Sequence, residues 1–308
     1  DEHDGGNKSY ANQHDARNDG KSWLWIWILE FFKCFICNFA DWIDNSSLFR
    51  NYKIVEKHEK QRWQKMKIET PIEAQKTVEL VECGVEGVRE AKVLELNTSS
   101  IEFDRFMRIN TVAEHVNKLN IKKDTIILDV GGFDGAFALF VPGLKVWVVD
   151  PQTTGGSGLN IPFPDKHFDV VVSIDALEHL PRRDRPKLLQ ELVRVTRSKL
   201  FINFPEARSM GAQKFVLSIF GNKFIQEHVD YQLPTQEETI SFLKGICPNI
   251  KITASSYVNI YSWLAWFVLF HTDKERGLKV SKFLKEHAND LTPTFLYDLL
   301  ECDVGDGV

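Results

Sequence analysis

The stretch 125–150, TIILDVGGFDGAFALFVPGLKVWVVD, decides the fold of this chain. An apolar run ends at Asp129, a glycine-rich turn follows, and a second apolar run ends at Asp150. This order predicts strand, turn, short helix and strand, because glycines let the backbone come close to a ligand. An acid at the tip of the second strand can accept hydrogen bonds from ribose hydroxyls when it lies roughly 20 residues after the first glycine. The stretch therefore predicts a binding site for a nucleoside-containing cofactor.

Apolar runs and helix-compatible segments alternate on either side of this stretch. The pattern predicts helices at 106–119 and 184–196 and further strands at 168–173, 200–204 and 251–254. Strands that alternate with helices form a mostly parallel sheet with helices on both faces. The sequence thus predicts an α/β protein with a Rossmann-like, doubly wound sheet, whose ligand lies at the carboxyl ends of the strands.

Composition excludes several other classes. The 308 residues are 43% hydrophobic and 26% charged, which is enough for a sizeable core, and the net charge is −5. A negative balance argues against a nucleic-acid partner, because phosphate binding needs concentrated positive charge. Five scattered cysteines indicate a reduced, cytoplasmic protein. Cys34 and Cys37 form a C-x-x-C pair without a second pair or a nearby histidine, so no metal site is predicted.

The first hundred residues divide into three segments. Residues 1–21 are polar and predicted to be disordered. Residues 22–67 combine an aromatic amphipathic helix with a basic stretch, an N-terminal helical extension that suits either peripheral attachment to the inner face of a membrane or packing on protein. Lys33 lies in mid-run and disfavours a membrane span. Residues 68–102 are predicted to connect this extension to the main domain, as a hairpin built on 77–83 and 91–97 or as a helix.

Two later motifs are more specific than the glycine turn. The run 159–180, LNIPFPDKHFDVVVSIDALEHL, resembles the LPFPD-x-x-FD-V-V-x-S-x-x-x-LEH signature of class I S-adenosylmethionine-dependent methyltransferases. EHVDYQLPT, residues 227–235, resembles an E-H-x-x-x-G-L-P element of bacterial type 11 members linked to cell-surface glycan biosynthesis. The resemblance covers about 109–254 and leaves residues 1–100 outside it.

The resemblance implies a seven-stranded-type sheet in a methyltransferase domain at 103–308, with S-adenosylmethionine as cofactor. By this resemblance, the loop from Asp129 to Gly135 would lie under the methionine and ribose portions of the cofactor. Asp150 would accept hydrogen bonds from the ribose hydroxyls. Phe133 stands where the family has its middle glycine, so either its side chain points away from the cofactor or the cofactor pocket is narrowed. Ser157 stands where relatives often carry an acid toward the adenine amino group. The implied cofactor-binding residues are Asp129, Gly131, Gly132, Gly135, Asp150, Ser157 and Asp175.

Candidate catalytic residues follow the 168–173 strand. Asp175, Glu178 and His179 have i, i+3, i+4 spacing and would share one face of a helix. Three interpretations stay open: His179 is a general base, the trio holds a divalent cation as in some quinone O-methyltransferases of similar pattern, or Glu178 and His179 are structural. His228, beside Glu227, is a second candidate base.

These residues predict an S-adenosylmethionine-dependent methyltransferase that methylates a small-molecule, glycan or lipid-linked acceptor, with oxygen as the favoured atom. Two apolar segments, 215–224 and 257–270, would roof the acceptor site and form a buried helix, respectively. The alternative is a methyltransferase-like scaffold that has lost turnover. A nicotinamide-dependent dehydrogenase is disfavoured because the 159–180 motif has no role in one. The sequence does not indicate an oligomeric state.

Overall fold

The computed structural model of the protein describes residues 77–119, 121–122, 125–287 and 295–305. The disordered tail predicted at 1–21 and the amphipathic extension predicted at 22–67 lie outside the described residues. The two interpretations of that extension therefore stay predictions. Within the described part of the chain, no helix is both long enough and apolar enough to cross a bilayer.

A mixed sheet of eight strands, in the order β1-β2-β4-β3-β5-β6-β8-β7, forms the centre of the described fold. The inner strands β4, β3, β5 and β6 are parallel, and both edges are antiparallel. The Rossmann-like α/β class is confirmed, with eight strands where the resemblance implies seven. The strands are β1 Val78–Glu82, β2 Arg89–Val93, β3 Ile126–Val130, β4 Lys145–Val149, β5 Phe168–Ile174, β6 Thr196–Pro205, β7 Lys251–Asn259 and β8 Phe295–Asp303.

Helices cover both faces of the sheet, as a doubly wound fold requires. The buried leucines of α2 and Leu243 of α5 share one apolar cluster with the inner strands. On the other face, α1 packs against β5, β6 and α7. The helices are α1 Phe103–Asn117, α2 Arg185–Val195, α3 Met210–Phe220, α4 Lys223–Tyr231, α5 Gln236–Ile246, α6 Ile260–Thr272 and α7 Lys274–His287.

The hairpin β1–β2 extends the sheet beyond β4. Its strand β2 pairs antiparallel with β4 at Arg89↔Val148. The hairpin also contacts the turn that follows β4, where the Thr154 hydroxyl donates to the carbonyl of Gly87 at 2.7 Å. Of the two structures that the sequence allows for 77–97, the hairpin is therefore the one observed, and the boundary predicted at residue 103 falls after two strands of the sheet.

An ion pair on α2 anchors the loop that carries the PFPD motif. Glu191 accepts a hydrogen bond from the backbone N–H of Ile161 at 2.9 Å, and Arg194 donates to the carbonyls of Ile161 and Phe163. The hydrogen bonds from Arg194 lower the pKa of the Glu191 carboxyl to about 2. The motif thus enters β5 from a fixed position, which aligns the carboxyl end of that strand.

The apolar segment 257–270 begins in a strand and continues as a helix. Asn259 ends β7 and caps α6, because its side-chain oxygen accepts from the backbone N–H groups of Tyr261 and Ser262. The buried side chains of α6 include Trp263, Trp266 and Phe267. The predicted buried helix is confirmed from residue 260 onward.

Candidate functional site

The carboxyl ends of the parallel strands place the glycine turn and Asp150 side by side. Gly131 has a φ of +83° and donates its backbone N–H to the carbonyl of Val149 at 2.8 Å. The turn therefore passes directly over the end of the neighbouring strand β4. This arrangement confirms the strand, glycine turn and strand that the sequence predicts.

Asp129 lies buried directly beneath the turn. A Cβ atom added to Gly132 would overlap the Oδ2 atom of Asp129, so only glycine allows the backbone to lie this close to the carboxyl group. The Oδ1 atom of Asp129 is buried without a hydrogen-bond partner among the described residues. Burial, with repulsion from Asp134 and Asp150, raises the pKa of Asp129 to about 8. A cationic group bound above the turn would satisfy this carboxyl.

Asp150 holds the turn after β4 with one oxygen. Its Oδ1 atom accepts hydrogen bonds from the backbone N–H groups of Gln152 and Thr153 and lies 3.2 Å from the Thr153 hydroxyl oxygen. The same hydroxyl donates to the carbonyl of Phe133 in the glycine turn. Thr153 therefore ties Asp150 to the glycine turn, and within the described structure no hydrogen bond is made by the Oδ2 atom of Asp150.

Two of the implied cofactor residues, Gly135 and Ser157, lie in other surroundings, and so does Phe133 of the glycine turn. A Cβ atom on Gly135 would lie 2.7 Å from that of Ala91, so Gly135 packs against the hairpin. Ser157 is exposed and accepts from the backbone N–H of Leu159 at 3.2 Å. Phe133 adopts a φ of +47° and keeps 47% of its side chain exposed. The ring of Phe133 is thus partly exposed to solvent and is not packed in the core.

Asp175 belongs to a partly buried ion-pair network at the end of β5. It has a φ of +54° and pairs with Arg108 of α1, which also contacts Asp104 at 3.1 Å. The hydroxyl of Tyr297 donates to Asp104 at 2.7 Å. A left-handed backbone at a non-glycine residue is strained and is retained where its surroundings fix it. Burial raises the pKa of Asp175 to about 6, although the Arg108 charge acts in the opposite direction.

The segment after Asp175 is a short 3-10 helix, Leu177–His179, and not the longer helix on which the sequence prediction relies. The three side chains consequently do not share one face. Asp175 faces Arg108, Glu178 is fully buried, and His179 is partly exposed. The reason is geometric: the positive φ at Asp175 breaks the helical path before it begins.

His179 and His228 meet at this point although 48 residues separate them in the chain. Their Nε2 atoms lie 3.4 Å apart. The Nδ1 atom of His179 lies 2.9 Å from a carboxylate oxygen of Glu227, and that of His228 lies 2.6 Å from the side-chain oxygen of Gln213. Burial lowers the pKa of His228 to about 2, so this ring is neutral at physiological pH. His179 is thus the member of the pair that solvent can reach.

Gln232 is the one departure of the segment 227–235 from the E-H-x-x-x-G-L-P element that it resembles. It stands at the glycine position of E-H-x-x-x-G-L-P and adopts a φ of +61°. Glycine adopts this region without strain, whereas glutamine does so at a cost. Arg185 holds the segment by donating to the carbonyls of Tyr231 and Gln232. These hydrogen bonds from Arg185 stabilise the left-handed backbone conformation at Gln232.

Several polar residues of this edge have no counterpart among the predicted site residues. They come from α1, from strands whose pairing the sequence does not reveal, and from the 3-10 helix Ala207–Ser209. Asp104 and Arg108 have i, i+4 spacing, the one local signal that could have indicated them. The others come together only in the folded sheet. The residues are Asp104, Arg108, Asn203, Arg208, Tyr257, Tyr297 and Asp298.

Comparison with known proteins identifies the centre of the sheet. Residues 128–202, from the glycine turn through most of β6, match the family model described as a methyltransferase domain. This segment is similar to a methyltransferase domain. The enzyme class predicted from the sequence, an S-adenosylmethionine-dependent methyltransferase, and its cofactor are confirmed by that match.

Solved structures show more distant likenesses to the methyltransferase domain. The plantazolicin methyltransferase BpumL, in complex with S-adenosylhomocysteine, is 14% identical, with 65% of this chain and 84% of that chain covered and a TM-score of 0.42. Haemonchus contortus phosphoethanolamine N-methyltransferase 2 is also 14% identical, over 64% of this chain and 53% of that chain, with a TM-score of 0.40. The YcgJ protein of Bacillus subtilis is 13% identical, over 65% of this chain and 99% of that chain, with a TM-score of 0.38. Because these identities and TM-scores are low, the assignment to the methyltransferases rests on the match of residues 128–202 to the family model.

The glycine turn has groups that would suit the predicted cofactor. The amino-acid portion of S-adenosylmethionine carries an ammonium group, and the unpartnered Oδ1 atom of Asp129 is a suitable acceptor for it. The Oδ2 atom of Asp150 is similarly available to ribose hydroxyls. Both acids border the same glycine turn.

Because the pKa of Asp129 lies at about 8, cofactor binding should release a proton. Bound ammonium favours the ionised carboxyl, so between pH 6 and 7.5 affinity should rise by up to about tenfold per pH unit. Calorimetry in two buffers of different ionisation enthalpy counts the released proton. Asp129→Asn should remove both the slope and the release, whereas exposed Asp169→Asn should keep them. An unchanged slope in Asp129→Asn would assign the proton to another group.

The same shift makes a stability prediction of known sign. A carboxyl whose folded-state pKa is raised contributes stability below its unfolded pKa, and that contribution is lost as the pH rises through about 8. Asp129→Asn cannot ionise. Its free energy of unfolding should therefore exceed that of the wild type above pH 8, as urea denaturation at pH 6 and pH 9 would measure.

Proposed function

We propose that the protein transfers a methyl group from S-adenosylmethionine to a hydroxyl oxygen of its acceptor. When bound, the cofactor supplies an activated methyl group on a sulfonium. An oxygen acceptor must also lose its proton, which requires a base within hydrogen-bond reach. The observation that carries this proposal is the chain Glu227–His179–His228, which ends in histidine nitrogens at the carboxyl edge of the sheet.

His179 has the features of the proton acceptor in this chain. Its Nδ1 atom points at the Glu227 carboxylate, which fixes the ring and leaves Nε2 free to accept a proton. The Glu227 charge would stabilise the imidazolium that forms, as an acid beside a catalytic histidine does in other enzymes. His228 and Glu178 are buried behind it and act on His179 rather than on the acceptor.

The surroundings of His179 indicate part of the acceptor's character. The ring of Phe224 packs edge-on against His179 at 5.8 Å and is 52% exposed. An acceptor whose hydroxyl reaches His179 would lay an apolar portion on this ring. This favours a lipid-linked or aromatic acceptor over a wholly polar glycan. Contact of residues 22–67 with a membrane surface would be consistent with a lipid-linked substrate and belongs to the same proposal.

Cofactor binding by the full chain tests the proposal most directly. Calorimetry should show one S-adenosylmethionine per chain. Asp150→Asn keeps an oxygen that can hold the turn but loses the charge, and it should weaken binding at least about tenfold, since a hydrogen bond to a charged group contributes about 1.5–3 kcal/mol. Asp169→Asn, an exposed acid paired with Arg197, is the matched control. Absence of binding at millimolar cofactor would overturn the enzyme proposal.

The second candidate is a scaffold that no longer turns over, and one observation favours it. The Thr153 hydroxyl donates to the carbonyl of Phe133 and lies 3.2 Å from Asp150, so it stands between the two parts of the predicted cofactor site. Thr153→Ala separates the candidates. If the hydroxyl obstructs the ribose, the variant should bind cofactor more tightly than wild type. If the wild type binds well and Thr153→Ala binds less well, Thr153 is part of a working site.

A further inference from the structure

The fully buried carboxyl of Glu178 lies beside the two histidines and has no hydrogen-bond partner on either oxygen within the described structure. One of these oxygens lies 4.0 Å from the Nε2 atom of His179. An unpaired buried carboxylate costs several kcal/mol unless a positive charge or donor satisfies it. The environment of Glu178 therefore calls for a cation that the neighbouring side chains do not supply directly.

The hydrogen bonds around His228 determine which of its nitrogens is free. Ser209 donates its hydroxyl to the carbonyl of Glu206, so it accepts from the side-chain N–H of Gln213. The side-chain oxygen of Gln213 must then face His228, whose Nδ1 atom carries the hydrogen. A neutral ring with hydrogen on Nδ1 has a lone pair on Nε2.

The same reasoning applies to His179. Glu227 accepts from its Nδ1 atom, which leaves a lone pair on Nε2 in the neutral ring. The two lone pairs thus point toward each other across 3.4 Å. Two ligands of a tetrahedral zinc ion, each about 2.0–2.1 Å from the metal, lie about 3.4 Å apart. The spacing of the rings is that of two ligands on one ion.

We propose that Glu178, His179 and His228 bind one divalent transition-metal ion, Zn²⁺ by preference, at the carboxyl end of β5. The three ligand atoms lie within 4.8 Å of one another. Two imidazoles and one carboxylate suit zinc or iron better than magnesium, which prefers oxygen ligands. Glu227 and Gln213 hold the outer nitrogens of the rings, as outer residues do in known metal sites.

This set differs from the sequence prediction in one ligand. The sequence predicts no metal and leaves open a cation on Asp175, Glu178 and His179. Asp175 pairs with Arg108 instead, and His228 of α4 takes its place beside Glu178. Neither local spacing nor the family element indicates this pairing, because the two histidines lie on separate elements.

The ion would have a function in the proposed reaction. Three protein ligands leave a fourth position, as in catalytic zinc sites, and the partly exposed His179 gives access to it from solvent. A hydroxyl bound there would lose its proton more readily, and because the Nε2 lone pair of His179 would then be bound to the ion, the proton would pass to solvent. The metal site itself stands without the proposed function, whereas this role in activating the acceptor rests on it.

Metal binding by the full chain tests the site without cofactor or acceptor. The purified protein is stripped with a chelator and titrated with Zn²⁺ by calorimetry, and Co²⁺ absorption in the visible range reports the ligand geometry. Residues 1–76 contain Cys34 and Cys37, which can bind zinc themselves. The decisive quantity is therefore the difference between variants.

Wild type should bind one more equivalent than His228→Ala and Glu178→Gln, and Glu227→Gln should weaken that site about 10- to 100-fold. His115→Ala removes a histidine paired with Glu301 outside the cluster and should bind like wild type. Equal binding by wild type, His228→Ala and Glu178→Gln would overturn the proposal. That result would indicate instead a proton held between the rings and another shared by Asp175 and Glu178.

A folding defect in His228→Ala would be recognised from its melting curve. In that case zinc binding by wild type is compared with zinc binding by Glu178→Gln, which preserves side-chain volume. Zinc should also raise the melting temperature of wild type and not that of Glu178→Gln, because a ligand that binds only the folded state stabilises it. If zinc binds but no methyl transfer is found, the metal site stands and the proposed function fails. If methyl transfer is found but zinc does not bind, the metal site fails and His179 remains the proposed base.

Discussion

Replacing Gly132 with alanine should weaken the binding of S-adenosylmethionine about 10- to 100-fold, because forcing a methyl group into a packed site costs about 1–3 kcal/mol. The new Cβ atom would overlap the Oδ2 atom of Asp129. Because Asp129 is buried, its carboxyl cannot rotate away without disturbing the glycine turn above it. Both the acceptor for the ammonium group and the backbone beneath the cofactor would move.

Calorimetry with S-adenosylmethionine and urea denaturation measure the two consequences of Gly132→Ala. Gly245→Ala is the matched control: it adds the same methyl group to α5, where nothing lies within 4 Å of the new atom. The control should bind cofactor normally and gain up to about 1 kcal/mol of stability, since alanine favours helix over glycine. Normal cofactor binding by Gly132→Ala would show that the cofactor does not rely on this turn.

Local patterns predicted the centre of the sheet well. Strands β3, β4 and β5 are continuous apolar runs bounded by turn residues, and a buried parallel strand needs nothing more to be recognised. Strand β8 was missed for the opposite reason. Its residues are buried on both faces, so it shows no alternation, and its partners β6 and β7 are distant in the sequence. Its place in the sheet depends on the fold.

The candidate site likewise contains residues that the sequence locates and contacts that only the folded structure shows. Asp129, Gly131 and Asp150 follow directly from the strand ends, so the sequence places them without knowledge of tertiary structure. The contact of His179 with His228 requires α4 to dock against the 177–179 turn. The pairing of Arg108 with Asp175 requires α1 to pack on β5. A single sequence contains no period or spacing that indicates either contact.

Arg108→Leu should lower the free energy of unfolding by about 1.5–3 kcal/mol, because removing one partner of a largely buried ion pair leaves the other charge uncompensated. Here two carboxyl groups, those of Asp104 and Asp175, would lose their shared partner. Thermal and urea denaturation measure the loss. Asp175, with its φ of +54°, would also be released from the contact that holds it at the start of the 177–179 turn.

A double-mutant cycle separates this effect from lost packing. Asp175→Asn preserves shape, and asparagine tolerates the left-handed backbone better than most residues. In Arg108→Leu/Asp175→Asn one uncompensated charge is gone, so the double variant should be more stable than Arg108→Leu alone. Arg197→Leu breaks the exposed pair with Asp169 and should cost at most about 1 kcal/mol. If Arg108→Leu costs no more than Arg197→Leu, the network at the end of β5 does not stabilise the fold, and its retention must be explained by the chemistry of the acceptor site.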